Sequence, residues 1–125
     1  MNETTQECPF CRVPEPILRN RFAFAAFDLN PVAPGHLLLV TMRHASSFFD
    51  TTPDDKNALL DLLEEAKAYL DKVFHPDGYN IGVNVGEAAG QTIGHVHVHL
   101  IPRYRGDAEN PRGGVRGVIP QKQSY

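Results

Sequence analysis

The stretch His95-Val96-His97-Val98-His99-Leu100-Ile101 constrains this chain more than any other, because histidine and apolar residues alternate through it. Successive side chains of a strand point to opposite faces. The spacing therefore predicts a strand with His95, His97 and His99 along one face, and Val96, Val98 and Leu100 entering a core behind it. Three imidazoles fill a strand face poorly: they titrate near neutrality and give less apolar stabilisation than Val, Ile or Thr. Such a face points to chemistry, and a metal site of the His-x-His kind is one form it can take. Against a single ion held by all three, the strand carries no Asp or Glu as a fourth ligand. The three positions also span about 13 Å at strand rise.

The rest of the chain predicts what surrounds that strand. Residues 21–28 read as a strand, residues 28–35 as a loop dense in turn formers, and residues 36–42 as an apolar strand for the middle of a sheet. A short helical turn follows over residues 45–49. Thr52-Pro53-Asp54-Asp55 is a helix start, with a hydroxyl to cap, proline at the first helical position and acids in the first turn. Leu59, Leu60, Leu63, Ala66, Leu70, Val73 and Phe74 continue it at helical spacing as a core stripe, and His75-Pro76-Asp77-Gly78 ends it. Residues 79–86 then alternate as a strand and lead into a glycine-flanked loop, residues 86–90, where backbone amides can approach a ligand.

At 125 residues the chain is expected to be one domain, with a flexible polar segment over residues 1–7 and a Gly-, Pro- and Arg-rich tail over residues 104–125. A net charge of −3 argues against a nonspecific polyanion binder, so no nucleic acid partner is expected. A small phosphorylated ligand remains compatible with it. The N-terminus has no basic segment leading into an apolar one, and no window approaches a membrane span, so a cytoplasmic protein without a membrane partner is expected. In a reducing compartment Cys8 and Cys11 point to metal binding or redox work rather than a disulfide. A thioredoxin-type motif needs a buried strand ahead of it, which seven polar residues cannot supply. Zinc is the better candidate, although two thiolates make half of a tetrahedral site.

The triad stretch resembles the signature of the histidine-triad (HIT) family, in which three histidines alternate with apolar residues. Upstream, Asn84-Val85-Gly86 followed by Gly90-Gln91-Thr92 resembles the family's run before the triad, and Asp28 through Pro34-Gly35-His36 resembles its earlier segment. The resemblance covers roughly residues 8 to 103. It implies an α+β fold with an antiparallel sheet of about five strands, one long helix and a short helix, usually assembled as a homodimer. It implies His97 as nucleophile, His99 on phosphate, and His95 and His36 in support. Asp28 is implied on the ribose, with Asn84, Gly90, Gln91 and Thr92 around the phosphate. Phe10, Val13 and Leu29 are candidates for the wall of a base pocket.

Members of the family with an N-terminal Cys-x-x-Cys resemble this chain in placing a His after the second long strand. That implies a structural zinc on Cys8, Cys11, His44 and His95; no organic cofactor is expected. A third His, Pro102-Arg103 after the triad and the Arg-rich tail resemble the bacterial dinucleoside-polyphosphate hydrolase branch. The expected activity is cleavage at the α-phosphorus of a purine dinucleoside polyphosphate or nucleoside phosphoramidate through a nucleotidyl-histidine. For this one nitrogen of His97 must be unprotonated, which a group accepting from the other nitrogen would secure. The alternatives are a nucleotide-binding regulatory module with vestigial catalysis and a metal-dependent hydrolase using the triad histidines.

Overall fold

A single sheet with two differently used faces positions everything else. In the computed structural model, which describes residues 8–13 and 15–125, the strands are β1 (Leu18–Arg19), β2 (Ala23–Phe27), β3 (Leu37–Thr41), β4 (Gly78–Gly82) and β5 (His97–Arg103). One long helix, α1 (Pro53–Val73), separates β3 from β4. All neighbouring pairs are antiparallel and the order across the sheet is β1-β2-β3-β5-β4. This is the α+β arrangement with a five-stranded antiparallel sheet that the sequence led us to expect. The expected mobility of residues 1–7 lies outside the described residues.

Strand alternation sorts the side chains. Ala23, Ala25, Leu37, Leu39 and Leu100 face α1, where Ala58, Leu59, Leu62, Ala66 and Leu70 close the main core. The alanines of β2 leave room for the helix leucines to pack closely. On the opposite face Phe24, Leu38 and Val40 form a second cluster, covered by Phe10, Val13 and Ala26. The histidines of β5 belong to this second face.

The helix begins as expected. Thr52 accepts from the Asp55 backbone N–H, the Asp55 carboxylate accepts from the Thr52 N–H, and Pro53 takes the first helical position. Its stripe differs from the expected one: Leu62 and Ala58 are buried, whereas Leu60 and Val73 are 61% and 51% exposed. Leu60 lies about 100° round the helix from Leu59, which takes it off the buried face, and Val73 sits on the last helical residue. The expected short helix is a 3-10 turn, Phe48–Asp50.

Two strand boundaries also differ. The ladder of β5 starts at His97 rather than His95, and β4 ends at Gly82, paired with His99, rather than at residue 86. Residues 83–86 leave the sheet and carry Asn84 to the site instead. The tail forms two 3-10 turns, Gly114–Val118 and Pro120–Lys122, the first of which lies against β4. Arg116 donates to the main-chain carbonyls of Lys122 and Gln123, and the Arg112 and Arg116 guanidinium groups cover the Tyr125 ring. No helix among the described residues is long and apolar enough to cross a membrane.

Candidate functional site

Register between β3 and β5 creates the site. Leu38 pairs with His99 and Val40 with His97, so two imidazoles stand beside two aliphatic side chains on the face turned away from α1. Together with Phe10, Val13, Phe24 and Ala26 they line a cavity of about 590 Å³. Its rim carries Asp28, Leu29, Asn84, Gly90 and Thr92, all named from the sequence. The lining is therefore apolar and aromatic in part and polar in part. That division suits a ligand with a flat ring system and an anionic group.

Hydrogen bonding fixes the protons on the histidines. Nδ1 of His97 lies 2.9 Å from the carbonyl oxygen of its near neighbour His95. A carbonyl only accepts, so Nδ1 carries the proton and Nε2 is left with its lone pair. At His36, Nδ1 accepts from the Val32 N–H at 3.1 Å, which puts the proton of the neutral ring on Nε2. That nitrogen lies 2.9 Å from Nδ1 of His99 and 3.5 Å from Asp28 Oδ2. Donation into His99 Nδ1 leaves His99 with its proton on Nε2. The two cavity histidines are thus opposite tautomers, one offering a base and the other a donor.

Both donors are held neutral. Burial pushes His36 below the ordinary imidazole value, with the Asp28 carboxylate working against it. Burial also lowers His99, and the neighbouring His97 and His36 rings add to this while Asp28 opposes it. The oxygen and nitrogens of Asp28, His36 and His99 are close enough together to be considered as metal ligands. The tautomer argues otherwise: an ion on His36 Nε2 would force the proton onto Nδ1, against the Val32 N–H.

His95 does something different from its two neighbours in the triad. It is fully buried, and its Nε2 lies 2.9 Å from the Thr41 carbonyl. Nε2 must donate there, so the lone pair of Nδ1 is directed at Cys8 Sγ at 3.3 Å and Cys11 Sγ at 3.5 Å. His44 Nδ1 completes the group, 3.2 Å from Cys11 Sγ. The four ligand atoms of Cys8, Cys11, His44 and His95 all lie within 4.8 Å of one another, and the cluster can hold a metal ion. Two thiols and two imidazoles, with one ring already oriented through a main-chain carbonyl, suit zinc in a closed four-ligand site.

Three sequence expectations need adjustment. His95 faces the cysteines rather than the cavity, although its carbonyl serves His97. His36 stands behind His99 and acts on it, not on the cavity directly. The Gln91 side chain, only 3% exposed, donates to the carbonyls of Ser46 and Ile93 and accepts from the Gly86 N–H. It holds the loop rather than reaching a ligand. In that loop Gly86 and Gly90 have φ of 87° and 92°, a region that favours glycine. No residue of the tail lines this cavity; residues 104–109 and Pro111 line a different one with Asp77, Tyr79 and Asn80.

Sequence reasoning missed Thr41, Leu38, Val40 and Phe24. Nothing in their local pattern marks them; only the cross-strand pairing of β3 with β5, and of β2 with β3, brings them to the site.

Comparison with known proteins adds the following. A family model described as HIT domain matches residues 15–106. An AP-4-A phosphorylase from Mycobacterium tuberculosis is 34% identical over 123 residues, which is 90% of this chain and 63% of that protein. An asymmetrical bis(5'-nucleosyl)-tetraphosphatase from Schizosaccharomyces pombe is 37% identical over 89 residues, 71% of this chain and 49% of that one. The chain thus spans less than two thirds of either curated relative. The crystal structure of a Zn-bound histidine triad family protein from Mycobacterium smegmatis superposes with a TM-score of 0.76 at 28% identity, covering 86% of this chain and 82% of that one.

Proposed function

The chain belongs to the HIT family, and from that premise we propose that it cleaves purine nucleotides at the α-phosphorus, passing the nucleotidyl group through His97. The observation that carries this reading is the 2.9 Å contact from His97 Nδ1 to the His95 carbonyl, which leaves Nε2 as a base on a cavity able to take a nucleotide. The names of two relatives, a phosphorylase and a tetraphosphatase of dinucleoside substrates, support the same substrate class.

In the first step Nε2 forms a bond to the α-phosphorus, and the bond from phosphorus to the leaving group breaks with its electron pair, a polyphosphate oxygen departing as the anion and a phosphoramidate nitrogen, protonated from solvent, as the neutral amine. The ring is then cationic, with its charge shared by Nδ1–H, and the His95 carbonyl stabilises it. His99 donates from Nε2 to a phosphoryl oxygen as charge builds there. In the second step water or inorganic phosphate attacks phosphorus, an attacking water gives up a proton to solvent, the P–N bond breaks and its electron pair returns to Nε2. In this reading Asp28, on the rim, takes the ribose hydroxyls, and Phe10, Val13 and Leu29, which line the same cavity, take the base; their presence on one cavity supports it.

Zinc on Cys8, Cys11, His44 and His95 completes the reading. A closed site of this type supplies cross-linking and no open coordination position. We also expect a homodimer: β4 is an edge strand, and Ile81 on it is 50% exposed. Sedimentation at micromolar concentration checks that expectation.

The test of the activity is His97→Asn, assayed against diadenosine tetraphosphate and an AMP phosphoramidate, with and without phosphate. Turnover should fall on the order of a thousandfold or more while AMP binding is retained. An acid-labile nucleotidyl adduct should be trapped on the wild-type protein alone. Unchanged turnover in the variant would sink the reading, and AMP binding without turnover in the wild type would favour a regulatory module.

A further inference from the structure

The metal cluster and the cavity share one short piece of chain. Phe10 sits between the ligands Cys8 and Cys11 within the 3-10 turn Pro9–Arg12. Its ring lies edge-on to His97 at 4.9 Å between centroids and to His95 at 6.1 Å. It also lines the cavity and packs with Val13 on Phe24, Leu38 and Val40. The thiols on either side of this ring meet His95 and His44, which reach them from 87 and 33 residues away.

This placement has a thermodynamic consequence. A short turn at the start of a chain loses conformational freedom when it is fixed, at roughly 1–2 kcal/mol per residue of backbone. Four bonds to one ion fix both cysteines, and hence Pro9 and Phe10 between them, before any nucleotide arrives. A nucleotide then meets a wall already in place, so that the cost of ordering Phe10 is not charged against its own binding. The same fixation holds the His95 main chain, whose carbonyl sets the proton on His97.

We propose that the Pro9–Arg12 turn is a metal-clamped wall of the nucleotide cavity, with Phe10 as the positioning residue that makes metal and nucleotide bind with positive mutual cooperativity. The inference rests on the nucleotide reading of the cavity and on the metal reading of the Cys8, Cys11, His44 and His95 cluster. Coupling of this kind is reciprocal: whatever factor the metal adds to nucleotide affinity, the nucleotide must add to metal affinity.

The experiment uses zinc-loaded protein. Zinc is withdrawn into a chromophoric chelator with and without saturating AMP, which gives the zinc affinity in each state. AMP binding is then measured by calorimetry on the zinc-loaded and zinc-stripped protein, with far-UV circular dichroism recorded on both. AMP should tighten zinc binding about tenfold, and zinc should tighten AMP binding by the same factor. In Phe10→Ala the factor should fall to about one, with zinc still bound and AMP held by the loaded variant as weakly as by the stripped wild type. Phe10→Leu, which keeps an apolar side chain but no ring, should retain part of it.

If the stripped protein does not stay folded, the chelator competition on the loaded protein still decides the matter. Zinc affinity unaffected by AMP, or an unchanged factor in Phe10→Ala, overturns the inference while leaving the nucleotide reading standing. Failure of AMP to bind any form overturns both, and failure to take up zinc overturns the coupling along with the metal reading.

Discussion

At the scale of single residues, the arrangement of His36 behind His99 carries the most information. Val32 N–H fixes the tautomer of His36, and His36 fixes that of His99. Replacing His36 by Leu removes the donor to His99 Nδ1, so His99 can place its proton on either nitrogen and no longer presents Nε2–H reliably. We predict a fall in kcat of about 10- to 100-fold with little change in KM, because the lost interaction is made mainly as charge develops on phosphate. A change confined to KM would argue against that role. The same pair has a signature in stability. Both rings are held below their ordinary value of 6.5 in the folded protein, so the unfolded chain binds more protons in acid. Their contribution is complete above pH 6.5 and is lost as pH falls through and below it. Melting temperature should therefore drop between pH 7 and pH 5.5, and drop less in His36→Leu, which leaves the cysteine cluster intact and so separates this effect from acid release of metal. The sequence named His97, His99, Asp28, Asn84, Gly90 and Thr92 together, and the structure brings all six to the lining of one cavity. The alternation alone does not say that His95 turns its ring to Cys8; the ligand set Cys8, Cys11, His44 and His95 implied by the family resemblance did, and the structure brings those four side chains together. What no pattern showed is that the His95 carbonyl meets His97 Nδ1 and that Thr41 orients the His95 ring.

At the scale of elements, α1 carries the sheet and its start is the clearest local device in the chain. The reciprocal bonds between Thr52 and Asp55 satisfy two backbone donors that the first turn would otherwise leave without partners, and Arg43 adds a 2.8 Å bond to the same carboxylate. Burial alone would raise the Asp55 carboxyl, but the bonds from Thr52 and Arg43 outweigh it and hold the group below its ordinary value. Thr52→Ala removes one half of the box and should cost about 1 kcal/mol. That corresponds to about 3–5 °C in melting temperature for a domain of this size. The loss should appear with no change in nucleotide binding, since the helix packs on the opposite face of the sheet from the cavity. This capping signal was legible because it is local. The strand ends were less so: the alternation of residues 79–86 continues past Gly82, but the ladder stops there, two residues short of the start of β5 at His97, as residues 83–86 turn away from the sheet. Likewise Leu60 fits a list of helical leucines, yet the exact buried face depends on where the sheet lies. Pattern gives a period, and packing selects the phase.

At the scale of the whole molecule, the cluster of Cys8, Cys11, His44 and His95 joins pieces that lie far apart along the chain. Cys8 and Cys11 come from the start of the described chain, His44 from the segment after β3, and His95 from the residue pair ahead of β5. The folded chain already brings together ligands 87 and 33 residues apart, while the unfolded chain has no preformed site to offer, so metal binds the folded state preferentially. Zinc should therefore raise stability by mass action. With free zinc about a thousandfold above its dissociation constant, the gain is about 4 kcal/mol. In a domain of this size, that amounts to about 10 °C or more in melting temperature. Magnesium, which prefers oxygen ligands and octahedral geometry, should give no such shift at the same concentration. Differential scanning calorimetry of the loaded protein, the chelated protein and Cys11→Ser checks this: the last two should melt together, well below the first. A melting temperature indifferent to chelation would mean that the four side chains meet only through their mutual hydrogen bonds. In that case the position of His95, and with it the carbonyl that holds the proton on His97, would rest on the Thr41 carbonyl, the Cys8 and Cys11 thiols and the rings of Phe10 and His44, with no ion to join them.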